Sequence, residues 1–363
     1  MPLSRAPVVD NFTCDGRLTL ASGTAVTTAD QTAKTTVYCT PYSGNRVALY
    51  NGTNWVLRNF SELSVAVPST IFRLFDVFIY DNAGTIALEA VNWNQSTAAI
   101  TAATAAAECE ITSNGHGLSN GDLVGIAGVV GTLGTDTENG INGKAWAVRN
   151  SAANTFTLDG SDTTGLTYTS DGAWYKIPNT RATAITLQDG IYVKTGEAGK
   201  RYIGTCMTTS TSGETEDSLT KRLVWNYYNR ATRPFYKVEA ASSWAYSSST
   251  VRAMNNNTDI RIGMVAGVAE GYFNGDMVGK FHTTVDANGF VDLADNNIDN
   301  IITQVVPTHS VASANTFEGI RASYVYALSE GYHALQATER GSGSGTQTFY
   351  GESSSGIVGF ILG

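Results

Sequence analysis

The sequence predicts an all-β, multi-domain protein built from β-sandwich and small-barrel units, and three observations carry that prediction. The chain holds 46 Thr and 37 Gly against 8 Lys, with only 15% charged residues. Such a composition favours pleated surfaces joined by many turns. Short runs of alternating apolar and polar residues recur along it, separated by Asn-Gly, Asp-Gly and Ala-Gly pairs. Helical periodicity is confined to two short stretches, 218–222 and 297–305. At 363 residues and 38.5 kDa the chain exceeds one ordinary domain, and 42% hydrophobic content is enough for packed cores.

Taken in order, residues 17–65 read as a meander with strands at 17–20 and 36–39. Arg46–Tyr50 then turns at Asn51-Gly52 into 54–58. Residues 73–80 and 85–93 form a longer pair joined at 81–84. From 101 to 178 the character changes: an Ala/Thr-rich lead-in is followed by strands at 109–112, 123–126, 145–148, 155–158 and 173–177, a small β-barrel of its own. Residues 182–188, the pair Asp189-Gly190 and 191–194 form the clearest hairpin. The last region, 231–363, reads as a β-sandwich. In it Ile260, Ile262, Met264, Ala266 and Val268 share one face with period two, and further strands fall at 321–328, 331–338 and 346–350. The final IVGFILG is apolar to its last residue, which predicts that it is tied into a sheet or a subunit contact. Together with the 260–268 face it predicts a homotrimer whose shared core lies in 231–363.

The inventory for catalysis is poor. His116, His282, His309 and His333 are the only histidines, and none stands four residues from another, so no helical metal pair exists. Gly341–Gly345 (GSGSG) places Gly343 where a nucleophile elbow needs serine. Gly140–Ala145 is too short for a phosphate loop and has Ala in place of the Mg²⁺-holding hydroxyl. The Asp-rich turns at 159–162 and 286–289 lack the calcium-loop spacing. Catalytic residues, metal ligands and cofactors are therefore all expected to be none. Of the six tryptophans, Trp244, with Tyr246 two residues on, is the best candidate for stacking a sugar ring; a place in the core or at a trimer contact is the competing role.

A formal charge of −9 with no Lys/Arg cluster beyond adjacent pairs argues against a nucleic-acid partner. The start MPLSRAPVVDNF has no apolar signal region, and the apolar runs 124–130 and 357–362 fall short of the roughly 18 residues that span a bilayer. Cys14, Cys39, Cys109 and Cys206 form no C-x-x-C pair and are expected to be free, buried thiols.

Several long segments resemble one family. Arg17–Asp30 (RLTLASGTAVTTAD) and Val37–Tyr50 (VYCTPYSGNRVALY) resemble an N-terminal module of tailed-bacteriophage virion proteins. The likeness continues through 76–80, 85–93, Thr180–Gly190 (TRATAITLQDG), 213–217 and Leu223–Arg230 (LVWNYYNR). In such relatives the Trp93 segment runs almost directly into the Arg181 segment, so 101–178 reads as an insertion. That yields three domains: 1–100 plus 179–230, 101–178, and 231–363. The insertion, on Gly115–Asp122 (GHGLSNGD) and Asn154–Asp159 (NTFTLD), is similar to a small β module likened to the first catalytic-cysteine half-domain of ubiquitin-activating enzymes. The likeness implies a fold and no ubiquitin chemistry. The resemblance as a whole implies a tail fibre or receptor-binding adhesin of the virion, with head fibre or capsid decoration as the sibling role. A fibre of this kind is a homotrimer whose partners are other virion proteins and a host-surface glycan or protein. A glycan-cutting depolymerase or esterase is the rival class, disfavoured because no short-period repeat is visible.

Overall fold

The computed structural model describes residues 10–304, 309–312 and 315–363. Among them the regular structure is almost entirely strand; helical turns are limited to Thr132–Thr135 and Met254–Asn256. The two stretches with helical periodicity are not helices. Residues 218–220 form a turn leading into the strand Lys221–Arg222. Asn297–Asn300 is a turn closed by the Asn300 amide on the Asn297 carbonyl at 2.9 Å, and Val305 lies outside the described residues.

The first half forms where the local sequence is most explicit. Thr36–Pro41 lies between Gly16–Thr19 and Leu63–Ala66, and Arg46–Tyr50 pairs with Trp55–Asn59 around Asn51. The Asn51 side chain accepts the amides of Thr53 and Asn54, at 3.0 and 2.8 Å. Leu74–Asn82 and Thr85–Asn92 are joined by Ala83-Gly84, both with positive φ (51° and 97°), as a two-residue primed turn requires. Asp189-Gly190 repeats the device between Ile185–Gln188 and Ile191–Lys194.

Leu74–Asn82 also pairs with Glu197–Met207, so strands from before and after residues 97–177 share one sheet. The intervening chain builds a separate seven-stranded sheet from strands between Thr97 and Lys176, around buried Trp146, Phe156 and Trp174. Its two ends meet: Trp93 bridges to Arg181, and the Asn94 amide donates to the Thr180 carbonyl at 3.1 Å. It touches the rest through a mixed core in which Ala145 and Ile177 join Phe72, Leu74 and Trp225.

The last region is a sandwich. One layer orders Arg261–Ala266, Gly331–Arg340, Ala287–Asp295 and His309–Ala312. It extends through Lys221–Arg222 and Thr215–Asp217 to Gln31–Lys34, so this sheet runs across residue 230 into the first region. The other layer holds Thr232–Val238, Gly356–Leu362, Gly271–Thr283, Gln347–Tyr350 and Ser243–Ala245, with Phe317–Leu328 also on Gly271–Thr283. Between the layers pack Ile262, Met264, Leu293 and Leu335 against Phe273, Met277, Phe281 and Phe349.

One expectation is corrected here, and the one for the apolar carboxyl end is met by a sheet. Ile260, Ile262, Met264 and Ala266 do share a face, but it lines the sandwich core of the same chain, while Val265 and Val268 enter a second core behind it. That face is covered within one subunit. The terminal Gly356–Leu362 is a central strand, with Ile357 and Ile361 inward and Val358, Phe360 and Leu362 outward. The 13-residue strand Gly271–Thr283 carries no apolar alternation because Gly271, Gly275 and Gly279 occupy its inward row with Phe273, Met277 and Phe281. A Cβ on Gly279 would lie 2.9 Å from Val291 of the facing sheet. All four cysteines are free and buried.

Two tests follow from this packing. An added Cβ on Gly125, in Leu123–Ala127, would sit 2.2 Å from the buried Phe72 ring. Gly125→Ala is expected to cost about 1–3 kcal/mol by overpacking, read as a lower denaturant midpoint at unchanged slope. We propose that residues 97–177 fold on their own. Because Asn94 and Thr180 already touch, joining 95 to 178 by a short linker should leave a cooperative, folded remainder, and the excised piece should give dispersed NMR amides.

Candidate functional site

Trp244 and Tyr246 lie at the sheet edge, but both rings are already engaged. Trp244 stacks on its cross-strand neighbour Phe349 (6.0 Å, 12°), and its Nε1 donates to Glu339 at 2.7 Å. The Arg252 guanidinium covers the Tyr246 ring at 3.7 Å, and the Tyr246 hydroxyl donates to the Thr250 carbonyl at 2.8 Å. Arg252 and the Asn255 amide also bond Glu339. Burial pushes the Glu339 carboxyl up, against the opposing pull of Arg252. The pair expected as an open stacking platform is thus half-buried and forms the wall around a buried carboxylate.

The histidines separate into different roles. His116 is buried: its Nδ1 accepts the Leu118 amide at 3.0 Å, its Nε2 faces the Thr155 carbonyl at 3.2 Å, and its ring meets Phe156 edge-on. It ties down the Gly115–Gly117 turn. His282 packs at 5.0 Å from Phe317 on the outer face of the sandwich. The side chain of His309 lies outside the described residues.

His333 is different, and sequence spacing hid it. It sits on Gly331–Arg340 with Nδ1 2.8 Å from Asp295 Oδ2, while exposed Ser329 Oγ is 3.5 Å from Nε2. Serine, histidine and aspartate are therefore assembled from two strands and a turn, with Tyr326 also bonding Asp295 at 3.2 Å. Nε2 lies 2.9 Å from the Ser329 carbonyl, nearer than the 3.5 Å to the Ser329 hydroxyl, so the imidazole bridges Asp295 and the Ser329 backbone. A general base needs the Nε2 lone pair free. Burial pulls the imidazole pKa down, but the Asp295 carboxylate and the Ser329 carbonyl outweigh it and hold it above its ordinary value.

A cleft of about 340 Å³ opens where three parts of the chain meet. The loop 136–145 forms one side. Residues 207–223 with Phe72 form the floor, and Lys237, Asp259, Arg261 and Tyr332 close it. Lys144 is pinned by Asp259 at 3.2 Å, the Glu138 carbonyl and Thr258; burial, with Arg261 beside it, pulls the amine down to about 8 against Asp259. Among the described residues no group of three or more His, Cys, Asp or Glu is placed to hold a metal, and no helix is long and apolar enough to cross a membrane.

No protein-family model matches the chain, and no curated protein matches it. Among solved structures, a chain from infectious bursal disease virus, Gx strain, aligns over 92% of this chain and 65% of its own at 9% identity and a TM-score of 0.25. The VP2 subviral particle of that virus aligns over 92% and 66% at 10% identity and a TM-score of 0.27. An insecticidal delta-endotoxin from Bacillus thuringiensis aligns over 96% and 51% at 7% identity and a TM-score of 0.23. This chain thus spans less than two thirds of the length of each. TM-scores this low carry no argument about fold or role, and the resemblances drawn above rest on their quoted residues alone.

The His333–Asp295 pair sets a pH dependence. A pKa raised by folding contributes stability that is complete below the unfolded value of about 6.5 and is lost as pH rises through the folded value. His333→Gln should therefore be less stable than wild type at pH 6, with the gap narrowing toward pH 8.5, as read by thermal unfolding of both proteins across that range.

Proposed function

We propose that this protein is a structural component of a tailed-bacteriophage virion, a tail fibre or receptor-binding adhesin that assembles as a homotrimer. The observation that carries the reading is the run of sequence resembling virion modules across Arg17–Tyr50 and Thr180–Arg230, above all LVWNYYNR at 223–230. The first four of those residues, Leu223, Val224, Trp225 and Asn226, are all buried. A head-fibre or capsid-decorating role uses the same features and remains the sibling within the class.

A second feature supports assembly. The outer face of the sandwich displays Tyr236, Tyr272, Val325, Val358, Phe360 and Leu362, each between 39% and 60% exposed. They are neighbours across strands, since Val358 pairs with Tyr236, and Phe360 lies beside Asn274, whose other partner is Val325. Apolar patches of this kind mark contact surfaces. Many shallow sites presented by trimers can add factors of about 10²–10⁴ in avidity, so adhesion needs no deep pocket and no catalytic set.

Sedimentation equilibrium at micromolar concentration should give a trimer, and Phe360→Ser with Val358→Thr should shift it toward monomer without lowering secondary-structure content. A monodisperse wild-type monomer overturns the assembly reading. The rival enzyme reading rests on Ser329, His333 and Asp295. Ester and host-polysaccharide hydrolysis should not exceed background, and an activity that Ser329→Ala abolishes in a folded protein would replace adhesion with catalysis.

A further inference from the structure

The cleft at the three-way junction gathers more cations than carboxylates in an otherwise acidic molecule. Four cations line it, Lys144, Lys221, Lys237 and Arg261, against two carboxylates, Asp136 and Asp259. Lys144 is spent on Asp259, and Lys221 on Glu216 at 3.2 Å. The Asp136 Oδ1 accepts the amides of Glu138 and Asn139. Lys237 has no hydrogen-bond or ion-pair partner among the described residues, and Arg261 bonds only neutral oxygens: the carbonyls of Thr258 and Ala145 and the amide oxygen of Gln336. Among the described residues Lys237 therefore faces the cleft without a partner, and Arg261, which feels Asp259 only through space and lies 4.9 Å over the Trp146 ring, has no carboxylate in contact, in a chain of net charge −9. By contrast, the open hollow between the 50–58 hairpin and the 80–84 turn has all its charges paired, Arg58 with Asp81 and Lys200 with Glu197.

The rest of the lining narrows the ligand. The lining is mixed: Phe72, Met207 and Leu223 are apolar, whereas Thr137, Ser210 and Tyr332 carry hydroxyls. Apolar side chains and hydroxyls in one lining suit a sugar ring, whose C–H face packs while its edges hydrogen-bond. About 340 Å³ is at the small end of ligand sites, which run to roughly 1,000 Å³, so the occupant is one or two rings and not a long chain.

We propose that this cleft binds a saccharide unit bearing one anionic group, with Lys237 and Arg261 meeting the anion and Thr137, Ser210 and Tyr332 the ring hydroxyls. The site is read from its lining and stands whether the protein is a fibre or a capsid decoration; only the placing of that sugar on a host surface rests on the adhesion reading.

Calorimetric titration of the full chain tests it with four probes: methyl glucuronide, glucose 6-phosphate, methyl glucoside and inorganic phosphate. Methyl glucuronide should bind at least about ten-fold more tightly than methyl glucoside, and Lys237→Gln should remove about that factor. Lys280→Gln, on the outer sandwich face, should change nothing. Glucose 6-phosphate binding in place of the glucuronide keeps the anionic-sugar site and makes the anion a phosphate. Equal binding of the glucuronide and the neutral glucoside, no binding of either anionic sugar, or full affinity in a folded Lys237→Gln overturns the proposal. Inorganic phosphate binding as tightly as both sugars also overturns it, by removing the ring from the recognition. Sugar binding without host adsorption would leave the site intact and sink the adhesion reading; adsorption without sugar binding would do the reverse.

Discussion

Arg181 and Asp76 form the contact on which the three regions depend. Asp76 is 1% exposed on the central strand Leu74–Asn82; it accepts Arg181 Nε at 2.7 Å and the Thr205 hydroxyl at 2.7 Å. The same guanidinium reaches the Gly267 carbonyl and Glu330 in the last region and lies 4.4 Å over the Trp93 ring at the neck of the 97–177 segment. One side chain thus ties the first sheet, the neck and the sandwich. A buried pair of this kind is weak evidence of net stability. Removing one partner, however, strands a charge at a cost of about 3–5 kcal/mol, so the pair constrains the arrangement more than it strengthens it. Arg201 acts similarly without any carboxylate: wholly buried, it donates to the carbonyls of Asn11, Phe12, Thr13 and Ala48 and holds the start of the described chain against the first core.

Glycine shapes the sandwich as much as the large side chains do. Gly275 and Gly359 stand opposite one another on adjacent strands, and a Cβ on Gly359 would meet the Phe235 ring at 2.6 Å. Leaving that space empty lets Phe235 and Phe273 pack tilted at 5.8 Å beneath the sheet. The inner face is then filled by aromatic rings leaning over glycines, while the outer face of the same strands is left with Val358, Phe360 and Leu362. A strand central to its sheet and apolar on both faces is what a subunit contact or a further layer would cover.

The two proposed surfaces draw on different physics. The outer face is flat and apolar, and it gains by exclusion of water over area. The junction cleft is concave and holds more cations than carboxylates where three regions converge, so it gains by charge and hydroxyl geometry. The cleft could not exist in any one region alone, because Phe72, Lys144 and Lys237 meet there only once the 97–177 segment is docked beside the sandwich.

Fold class and much of the local geometry are legible in the order of residues alone. Thr-rich alternation with few charges makes strands, and Ala83-Gly84 and Asp189-Gly190 make primed turns, because φ preferences act within two residues. That order hides Gly271–Thr283, whose inward glycines erase the apolar alternation, and it misleads at 218–222, where pairing with Asp217 and Met264 overrides a weak local preference. Trp244 was legible as an aromatic near the surface, but its stacking on Phe349, 105 positions away, was not. Ser329, His333 and Asp295, like Lys237 and Arg261, acquire their roles from neighbours on other strands. Pairing, burial and charge compensation are non-local, so which polar groups are spent inside the fold and which face a cleft is set by contacts between distant strands.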